Sequence, residues 1–472
     1  MELTDDDRAI MRHVSRYLEH ANVAAQQSLQ SRPSPIGQLL SEHLGTDAQQ
    51  LPVVVHSFPG HRLVDADVAL EQLSSSVDSR MLGISGGEQK LHHGLSELIA
   101  NPYMPFGTGP VDYSSLATGP ASTRQVVSYG VRLLHHDGEP IALLQRSASP
   151  QHGRPEAQVE VIAGSPRTVD SFLAALRTLM VERSVLRGQV LSFNASEYGQ
   201  AAGATFLPRP SIPADEVVLA EGILDAMTRH VVGIGQQREH LLAANQHLKR
   251  GVLLYGPPGT GKTHSVRHLL SITPDVTAIV LTGSSIALIT EAAELARVMQ
   301  PAIVVLEDVD LIAMERGSSP QPLLFEVLDA LDGLDGDADV AFIMTTNRVH
   351  VLERALAERP GRVDLAVEIP LPELDERRRL LSLYAGDLPV SADAVDRTAQ
   401  RSEGTTGSFA KELVRRAVLG AALDGARTAS DEHLDKALDE LLSSREALTR
   451  RLLGETAANE DLTNLDGQGP RD

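Results

Sequence analysis

Apolar and polar positions follow a repeated strand and helix rhythm in the second half of the 472-residue chain. Short apolar runs alternate there with segments in which apolar residues recur every three or four positions. The runs are residues 252–255, 276–281, 302–306, 340–345 and 365–369. Strands separated by helices predict a mostly parallel sheet with helices on its faces. After Pro372 only the helical rhythm remains, which predicts a small all-helical lid over 372–443.

The first half of the chain has a weaker pattern. Residues 1–124 predict mainly helices and loops, with helical spacing at 7–29 and at 89–100. Residues 125–205 predict a small α/β module, with strands at 127–133, 141–144, 159–163 and 189–193 and a helix at 169–187. We therefore expect a separate α+β N-terminal region. It has no catalytic constellation, and we expect it to bind a partner.

A proline-rich segment divides the two halves. Pro208, Pro210 and Pro213 hold the backbone extended and cannot continue a helix, so residues 206–218 are predicted to be a semi-rigid linker. The alternating strands and helices then predict a large α/β subdomain over 219–371. The polar composition of 444–472 is typical of a largely disordered tail.

Composition limits the partners that we expect. The net charge of −21 argues against sequence-independent binding to nucleic acid, which requires clustered Lys and Arg. The chain has no cysteine, an acidic N-terminus where a signal peptide would be basic, and no apolar run near ~20 residues. We expect a cytoplasmic protein without a membrane segment.

A glycine-rich loop follows the strand at 252–255 and carries the chemistry of phosphate binding. Gly256, Gly259 and Gly261 let the backbone N–H groups approach phosphate oxygens closely. Lys262 is placed to reach the β- and γ-phosphates, and the Thr263 hydroxyl can bind Mg²⁺. The remaining loop positions predicted to contact the nucleotide are Pro257, Pro258, Thr260 and His264.

Polar residues follow the next strands. Glu307 and Asp308 end the strand at 302–306, where carboxylates can hold Mg²⁺ and orient a water molecule. Asn347, just after the strand at 340–345, has a short side chain suited to positioning that water. Arg359 and Arg362 lie in a Pro-Gly turn and are expected to reach the γ-phosphate of a neighbouring subunit.

Four motifs in this order resemble the AAA family of ATPases, in the clade with paired arginine fingers. They are residues 256–263, 306–310, 346–348 and 359–362, within a region of about 219–443. The resemblance implies a P-loop NTPase sheet with a helical lid, hydrolysis of ATP with Mg²⁺, and a homo-oligomeric ring that is usually a hexamer. It also implies a chaperone-like action on a protein partner.

The resemblance assigns roles to individual residues. It makes Thr263 and Glu307 the Mg²⁺ ligands and Asp308 the group that activates water. Asn347 becomes the sensor, and Arg359 and Arg362 act in trans. By position, the resemblance places Val232 and Gly233 around the adenine, with Gly407 of the lid beside the base.

Two departures from the family leave two functions open. The family usually has Asp-Glu where this chain has Glu307-Asp308, an order similar to the mitochondrial membrane-translocase branch, and the shorter base is expected to slow hydrolysis. Residues 283–300 also lack the aromatic residue of members that thread substrates. The leading hypothesis is a ring ATPase that remodels a protein chosen by its N-terminal half; the alternative is a slowly hydrolysing, nucleotide-gated switch or scaffold.

Overall fold

The computed structural model describes residues 14, 16–17, 33–74, 79–101, 104, 106–195, 201–310, 337–348 and 363–443. It divides into two compact units, Met1–Pro208 and Arg209–Asp472. The division falls within the proline-rich segment. Most of the predicted helix at 7–29 and all of the tail at 444–472 lie outside the described residues.

The first unit is built on an antiparallel sheet. Its strands are β1 (Val54–Phe58), β2 (Arg80–Ile84), β3 (Thr108–Gly109), β4 (Asp112–Ala117), β5 (Thr123–His136), β6 (Glu139–Arg146) and β7 (Ala157–Ala163). They are paired in the order β1-β7-β6-β5-β2-β3. Two strands pair with the same edge of the long strand β5: β4 with its first half and β2 with residues 131–133. A hairpin of β8 (Val190–Ala195) and β9 (Ala201–Leu207) completes the unit.

Both faces of this sheet are covered. The helices are α1 (Pro35–Leu44), α2 (Leu63–Leu73), α3 (Leu95–Ile99) and α4 (Pro166–Glu182). One core joins α2 and α4 to the sheet, and a second core on other strand positions includes α1 and α3. Alternate residues of β5 enter the two cores, as Val126 and Leu134 belong to the first and Tyr129 and Val131 to the second.

Residues 1–124 contain four strands, β1 to β4, although mainly helices and loops were expected there. β1, β2 and β4 are all paired with strands from beyond residue 123. β1 has the burial order exposed, exposed, half-buried, exposed, buried, so it lacks the alternation that marks a strand. Its conformation depends on pairing with β7, more than 100 residues away, which no local pattern signals.

The second unit has the predicted parallel sheet. Its strands are β10 (Arg250–Tyr255), β11 (Thr277–Thr282), β12 (Ala302–Glu307), β13 (Val340–Thr346) and β14 (Leu365–Glu368). They lie in the order β14-β10-β13-β12-β11, and each neighbouring pair is parallel. β12 and β13 are buried almost throughout, as expected for central strands covered on both faces.

The helices of this unit complete an α/β layer and a lid. They are α5 (Ile223–Thr228), α6 (Ile234–Gln236), α7 (Arg238–Ala243), α8 (Lys262–Ser271), α9 (Ile289–Val298), α10 (Leu374–Ala385), α11 (Ala392–Arg401) and α12 (Gly407–Leu423), with a further helix at 431–443. The lid buries its own core, which includes Leu381, Leu413 and Leu438. The α/β fold with a helical lid is therefore confirmed. Within the described residues, no helix is both long enough and apolar enough to span a membrane.

Candidate nucleotide-binding cleft

The loop between β10 and α8 has a backbone that only glycine adopts easily. Gly256, Gly259 and Gly261 have φ values of 146°, 79° and 113°. A Cβ on Gly256 would lie 2.1 Å from the Ile369 carbonyl oxygen, and one on Gly259 would lie 2.1 Å from Ser408 Oγ. The loop therefore requires glycine for close packing as well as for conformation. Its shape fits a nucleotide phosphate group, which needs backbone N–H groups at short range.

Lys262 stands at the first position of α8 with its ammonium held inside the loop. Its Nζ donates to the carbonyl oxygens of Gly256 and Pro257, at 2.8 Å each. Only 5% of the residue is exposed, and burial lowers the pKa of its ammonium, while Asp308 and Asp310 act in the opposite direction. A buried cation whose partners are neutral carbonyls is well placed to exchange them for phosphate oxygens.

The residues that would hold Mg²⁺ are brought together. The Thr263 hydroxyl donates a hydrogen bond to the Glu307 carboxylate. Burial raises the pKa of Glu307. The positive charge of Arg267 on α8 lowers this pKa, whereas the negative charge of Asp308 raises it further. A hydroxyl and a carboxylate beside a phosphate loop are oxygen ligands of the kind that Mg²⁺ binds, so the pair fits the predicted metal site.

Asp308 and Asn347 form the reactive edge of the cleft. Asp308 has a φ of 52°, in the left-handed region, and its N–H donates to Thr345 Oγ1 at 3.0 Å. Asn347 Nδ2 donates to Asp308 Oδ1 at 3.1 Å. The two residues thus meet across neighbouring strands β12 and β13. The contact directs one carboxylate oxygen of Asp308 at the amide of Asn347.

Asp310 supports this edge from within the protein, a role the sequence reasoning missed. It is 2% exposed, and its Oδ1 accepts hydrogen bonds from Thr346 Oγ1 at 2.9 Å and from the Asn347 N–H at 3.1 Å. These bonds hold the end of β13 in place. The carboxylate three residues after Glu307 was visible in the motif but could not be assigned a role without the strand pairing.

The lid forms the opposite wall of the cleft. Ser408, at the start of α12, donates its N–H to the Gly259 carbonyl oxygen at 3.1 Å, and Gly407 packs beside the same loop. Leu380 and Tyr384 of α10 and Lys411 of α12 also line the cleft. The cleft has a volume of about 340 Å³. The structure thus brings Gly407 to the cleft, together with four lid residues that the motif pattern did not indicate, Leu380, Tyr384, Ser408 and Lys411.

Residues 209–219, which we term the strap, form a third wall. Val217, Val218 and Leu219 line the cleft, and a Cβ on Gly261 would lie 3.7 Å from the Leu219 side chain. Three side chains on one face of α8 hold the strap. His264 Nε2 contacts the Glu216 carbonyl oxygen at 3.1 Å, and His268 Nδ1 and Ser271 Oγ contact that of Ile212 at 2.8 and 2.9 Å.

Arg209 anchors the beginning of the strap. Its guanidinium donates to the carbonyl oxygens of Leu270 and Thr273 at 2.8 and 3.0 Å and to that of Val276 at 2.8 Å. These carbonyls lie at and just beyond the end of α8, where helix carbonyls lack intrahelical donors. The strap therefore lies along the whole of α8, from its C-terminal end to the phosphate loop.

Some predicted site residues are not brought to the cleft or lie outside the described chain. Val232 and Gly233 belong to a π-helical stretch, Arg229–Gly233, and are not among the residues that line the cleft. Arg359 and Arg362 lie outside the described residues. Glu307 and Pro257 lie next to lining residues, whereas Pro258, Thr260, Lys262, Thr263, His264, Asp308 and Asn347 line the cleft directly.

Known proteins are similar in sequence to the part of the chain that forms this cleft. Residues 252–371 match the family model described as "ATPase family associated with various cellular activities (AAA)". The chain carries an AAA ATPase domain. The matched segment runs from β10 to just beyond β14 and so contains the phosphate loop, the Glu307-Asp308 pair and Asn347. ATP and Mg²⁺ are the cofactors of such a domain, which confirms that part of the sequence prediction.

Curated relatives are similar to the same region. A zinc metalloprotease, FtsH of Ureaplasma parvum, is 30% identical over 240 residues, 45% of this chain and 33% of that protein. A proteasome-activating nucleotidase of Methanoculleus marisnigri is 31% identical over 208 residues, 41% and 50% of the two chains. The 26S proteasome regulatory subunit 6A of Encephalitozoon cuniculi is 32% identical over 215 residues, 42% and 53%. The chain thus spans a third to about half of the length of these relatives.

Proposed function

We propose that the protein is an ATP-hydrolysing AAA ring ATPase that remodels or disassembles a protein partner chosen by its N-terminal half. The observation that carries the proposal is the hydrogen bond between Asn347 and Asp308 beside a complete phosphate loop. A general base and a sensor joined across two strands form a hydrolytic edge, whereas nucleotide binding alone would need only the loop.

The ring and the protein substrate are argued from the relatives and the motifs. One relative is named a protease, another a proteasome-activating nucleotidase and a third a regulatory subunit of the proteasome, so each name connects the shared domain with protein turnover. In this proposal Arg359 and Arg362 act in trans on the nucleotide of the neighbouring subunit. Their fixed positive charge would stabilise the transition state at the γ-phosphate.

Two observations favour a nucleotide-gated switch or scaffold as the second candidate. Asp308 is one methylene shorter than glutamate, and its second oxygen must reach the water while the first is held by Asn347. The segment after β11 forms a 3₁₀ turn, Gly283–Leu288, and then α9, and residues 283–300 contain no aromatic side chain. Both features would suit a protein that assembles with ATP and turns it over slowly.

The test is the steady-state ATPase rate per subunit measured against protein concentration, with the oligomeric state of the same samples from mass photometry. A rate that rises steeply as rings form supports an active site shared between subunits, and Arg359→Ala should then abolish turnover while preserving nucleotide binding. Rings with negligible turnover in ATP and in a non-hydrolysable analogue would support the switch. A normal rate in Arg359→Ala would contradict the trans-acting arginine.

The substitution Asp308→Glu separates the two candidates further. If the short base limits hydrolysis, the longer side chain should raise the turnover rate, provided that it tolerates the left-handed backbone at this position. Circular dichroism and nucleotide affinity check that the variant keeps its structure. A variant that binds ATP normally and turns over more slowly than the wild type would show that the aspartate is not the limiting feature.

A further inference from the structure

Strand β1 forms one end of the antiparallel sheet in the first unit. It pairs with β7 along one edge, in an unbroken register from Val54 opposite Val161 to Phe58 opposite Ala157. Along its other edge, no strand of the described residues pairs with it. An edge strand directs the N–H and C=O groups of alternate residues outward, so β1 presents an open row of backbone donors and acceptors.

This edge lacks the features by which sheets usually protect their ends. The other strands with an open edge differ: β3 has only two residues, and β4 has a break in register between Asp112 and Tyr113. The five residues of β1 include no proline, lysine or carboxylate. Val54 and Val55 are 37% and 51% exposed, although valine is among the most buried residue types. Among the described strands of this sheet, β1 is therefore the one most open to an added strand.

The two faces of β1 offer different contacts to an added strand. Residues directly opposite each other on paired strands share a face of the sheet. His56 lies opposite Val159, which belongs to the core that joins the sheet to α2 and α4, so His56 and Val54 lie on that face. Val55 lies opposite Glu160 and therefore on the other face. An added strand would place alternate side chains beside these two faces.

Positive charge surrounds the face that carries His56. Burial lowers the pKa of His56, and the charges of Arg177 on α4 and of Arg62 lower it further. Arg62 has its partners within the fold, because it donates to the Asp65 carboxylate and to the Met180 carbonyl oxygen. Arg177 is exposed and forms no ion pair with another described residue. Its charge is therefore available to a carboxylate on a strand that lies beside β1.

We propose that the open edge of β1 binds an extended segment of a protein partner by strand addition, and that this segment carries an acidic side chain beside Arg177, flanked by β-branched apolar residues. The inference rests on the proposed function and deepens it, because it names the part of the partner that the N-terminal half would select. Main-chain hydrogen bonds to β1 would supply affinity, and the side chains would determine which segment binds. Pro59, directly after β1, cannot donate to the ladder and so limits its length.

The experiment measures the binding of three fluorescein-labelled peptides to the full-length protein by fluorescence anisotropy. The Glu peptide is Thr-Val-Glu-Val-Thr-Val, and the Lys peptide has Lys in place of Glu. The Pro peptide has Pro in place of both residues that follow Glu, so a ladder donor is lost whichever edge faces β1. We expect the Lys and Pro peptides to bind about tenfold more weakly than the Glu peptide, or less tightly still.

Two protein variants and a matched control locate the site. Arg177→Glu should reverse the preference, so that the Lys peptide binds about threefold or more tightly than the Glu peptide. Val55→Asp should weaken binding of the Glu peptide about fivefold or more, since it places a like charge and a poor strand former on the edge. Arg167→Glu makes the same charge change about 15 Å away along α4 and should leave the preference for the Glu peptide unchanged.

Amide-resolved hydrogen exchange identifies the edge that is used. An excess of the Glu peptide should slow the exchange of outward-facing amides of β1 and leave those of β4 unchanged. Equal binding of the Glu peptide and either of the other two peptides would contradict the proposed partner. Slow exchange of every β1 amide without peptide would show that another part of the chain or a second copy covers this edge, which would also overturn the inference.

The inference and the proposed function fail in different ways. If the wild type hydrolyses ATP normally and shows no saturable binding of the Glu peptide, the inference alone is overturned. If the wild type binds the three peptides as expected and does not turn over ATP, the proposed ATPase is contradicted, while β1 stands as the binding edge.

Discussion

Buried charged side chains meet different surroundings at Asp65 in the first unit and at Lys262 in the second. In the first unit, Asp65 is fully buried and accepts hydrogen bonds from Arg62 Nε, Ser184 Oγ and the Val185 N–H. All three contacts are internal, and those from Ser184 and Val185 join the start of α2 to the segment after α4. In the second unit, Lys262 and Asp308 face a cleft, and their present partners are a few neutral groups.

This difference distinguishes charged side chains that stabilise the fold from charged side chains that remain available to a ligand. A buried charge whose partners are all supplied by the fold stabilises the fold, and its removal leaves several unpaired donors. A charge that lines a cleft has capacity left for a ligand, and its removal should affect binding more than stability. The predictions below test this separation, from the largest expected effect to the smallest.

Lys262→Ala should remove nucleotide binding with little loss of stability. The buried ammonium is the main cation of the loop, so we expect affinity for Mg-ADP to fall about a hundredfold or more. Calorimetry measures the affinity, and thermal unfolding without nucleotide measures the stability. Lys436→Ala, which changes an exposed side chain on the lid helix at 431–443, is the control. A large drop in unfolding temperature for Lys262→Ala would place this residue with the structural charges.

Asp308→Asn should block turnover and keep binding. The amide cannot accept a proton from water, so the ATPase rate should fall about 10²-fold to 10³-fold. The hydrogen bond from Asn347 can persist, because the substituted side chain keeps an acceptor oxygen. Rapid-quench and filter-binding assays measure rate and binding, with the exposed Asp393→Asn as control. An unchanged rate would remove Asp308 from the mechanism.

Asp65→Ala should destabilise the first unit and leave the ATPase rate per assembled subunit unchanged. Three donors lose their acceptor in a buried site, which should cost about 2–4 kcal/mol of unfolding free energy. Hydrogen exchange of peptides from α2 and α4 in the full-length chain measures the effect. Glu71→Ala on the same helix removes a surface pair and should cost less than about 1 kcal/mol. Equal losses in the two variants would contradict the structural role of Asp65.

The smallest effect is a loss of stability of the first unit in mild acid. Burial, with the nearby charge of Arg62, lowers the pKa of His61 to about 4 from its usual 6.5. Between these values the unfolded chain binds the proton and the folded unit does not, so stability falls as the pH drops from 6.5 toward 4. We expect a loss of about 2 kcal/mol at about pH 5 from this residue.

His61→Phe should reduce this pH dependence, because it removes the titrating group and keeps a ring against Phe193, whose centroid lies 5.4 Å away. Hydrogen exchange of the first unit at several pH values is the measurement. Part of the dependence should remain, since burial also lowers the pKa of His56, with Arg177 and Arg62 contributing. A profile identical to that of the wild type would show that His61 does not titrate in this range.

The fold of the second unit was predictable because its signals are local. The central strands β12 and β13 are nearly continuous apolar runs, as expected when both faces are covered, and helical patterns alternate with the strands along the chain. The residues that end these strands meet at one edge of the sheet because parallel strands all end on the same side. Glu307, Asp308 and Asn347 could therefore be grouped before any coordinates were known.

The first unit was less predictable because its strands depend on distant partners. β1 is an edge strand without alternation, and β2 and β4 share one edge of β5. The signals that hold the unit together, such as Asp65 against Val185, join residues about 120 positions apart. No periodicity within a window of ten or twenty residues contains that information.

For the site, the amino-acid sequence by itself determined the phosphate loop and the order of residues along the strand ends, because short-range geometry and glycine's backbone freedom dictate them. Only the tertiary structure decided which residues close the cleft. The strap lines the cleft with Val217, Val218 and Leu219, whereas Val232 and Gly233 are not among the lining residues, and Tyr384 and Lys411 belong to the lid wall. These residues reach the cleft through the packing of the lid and the strap on α8, and that packing is a long-range property that local sequence does not encode.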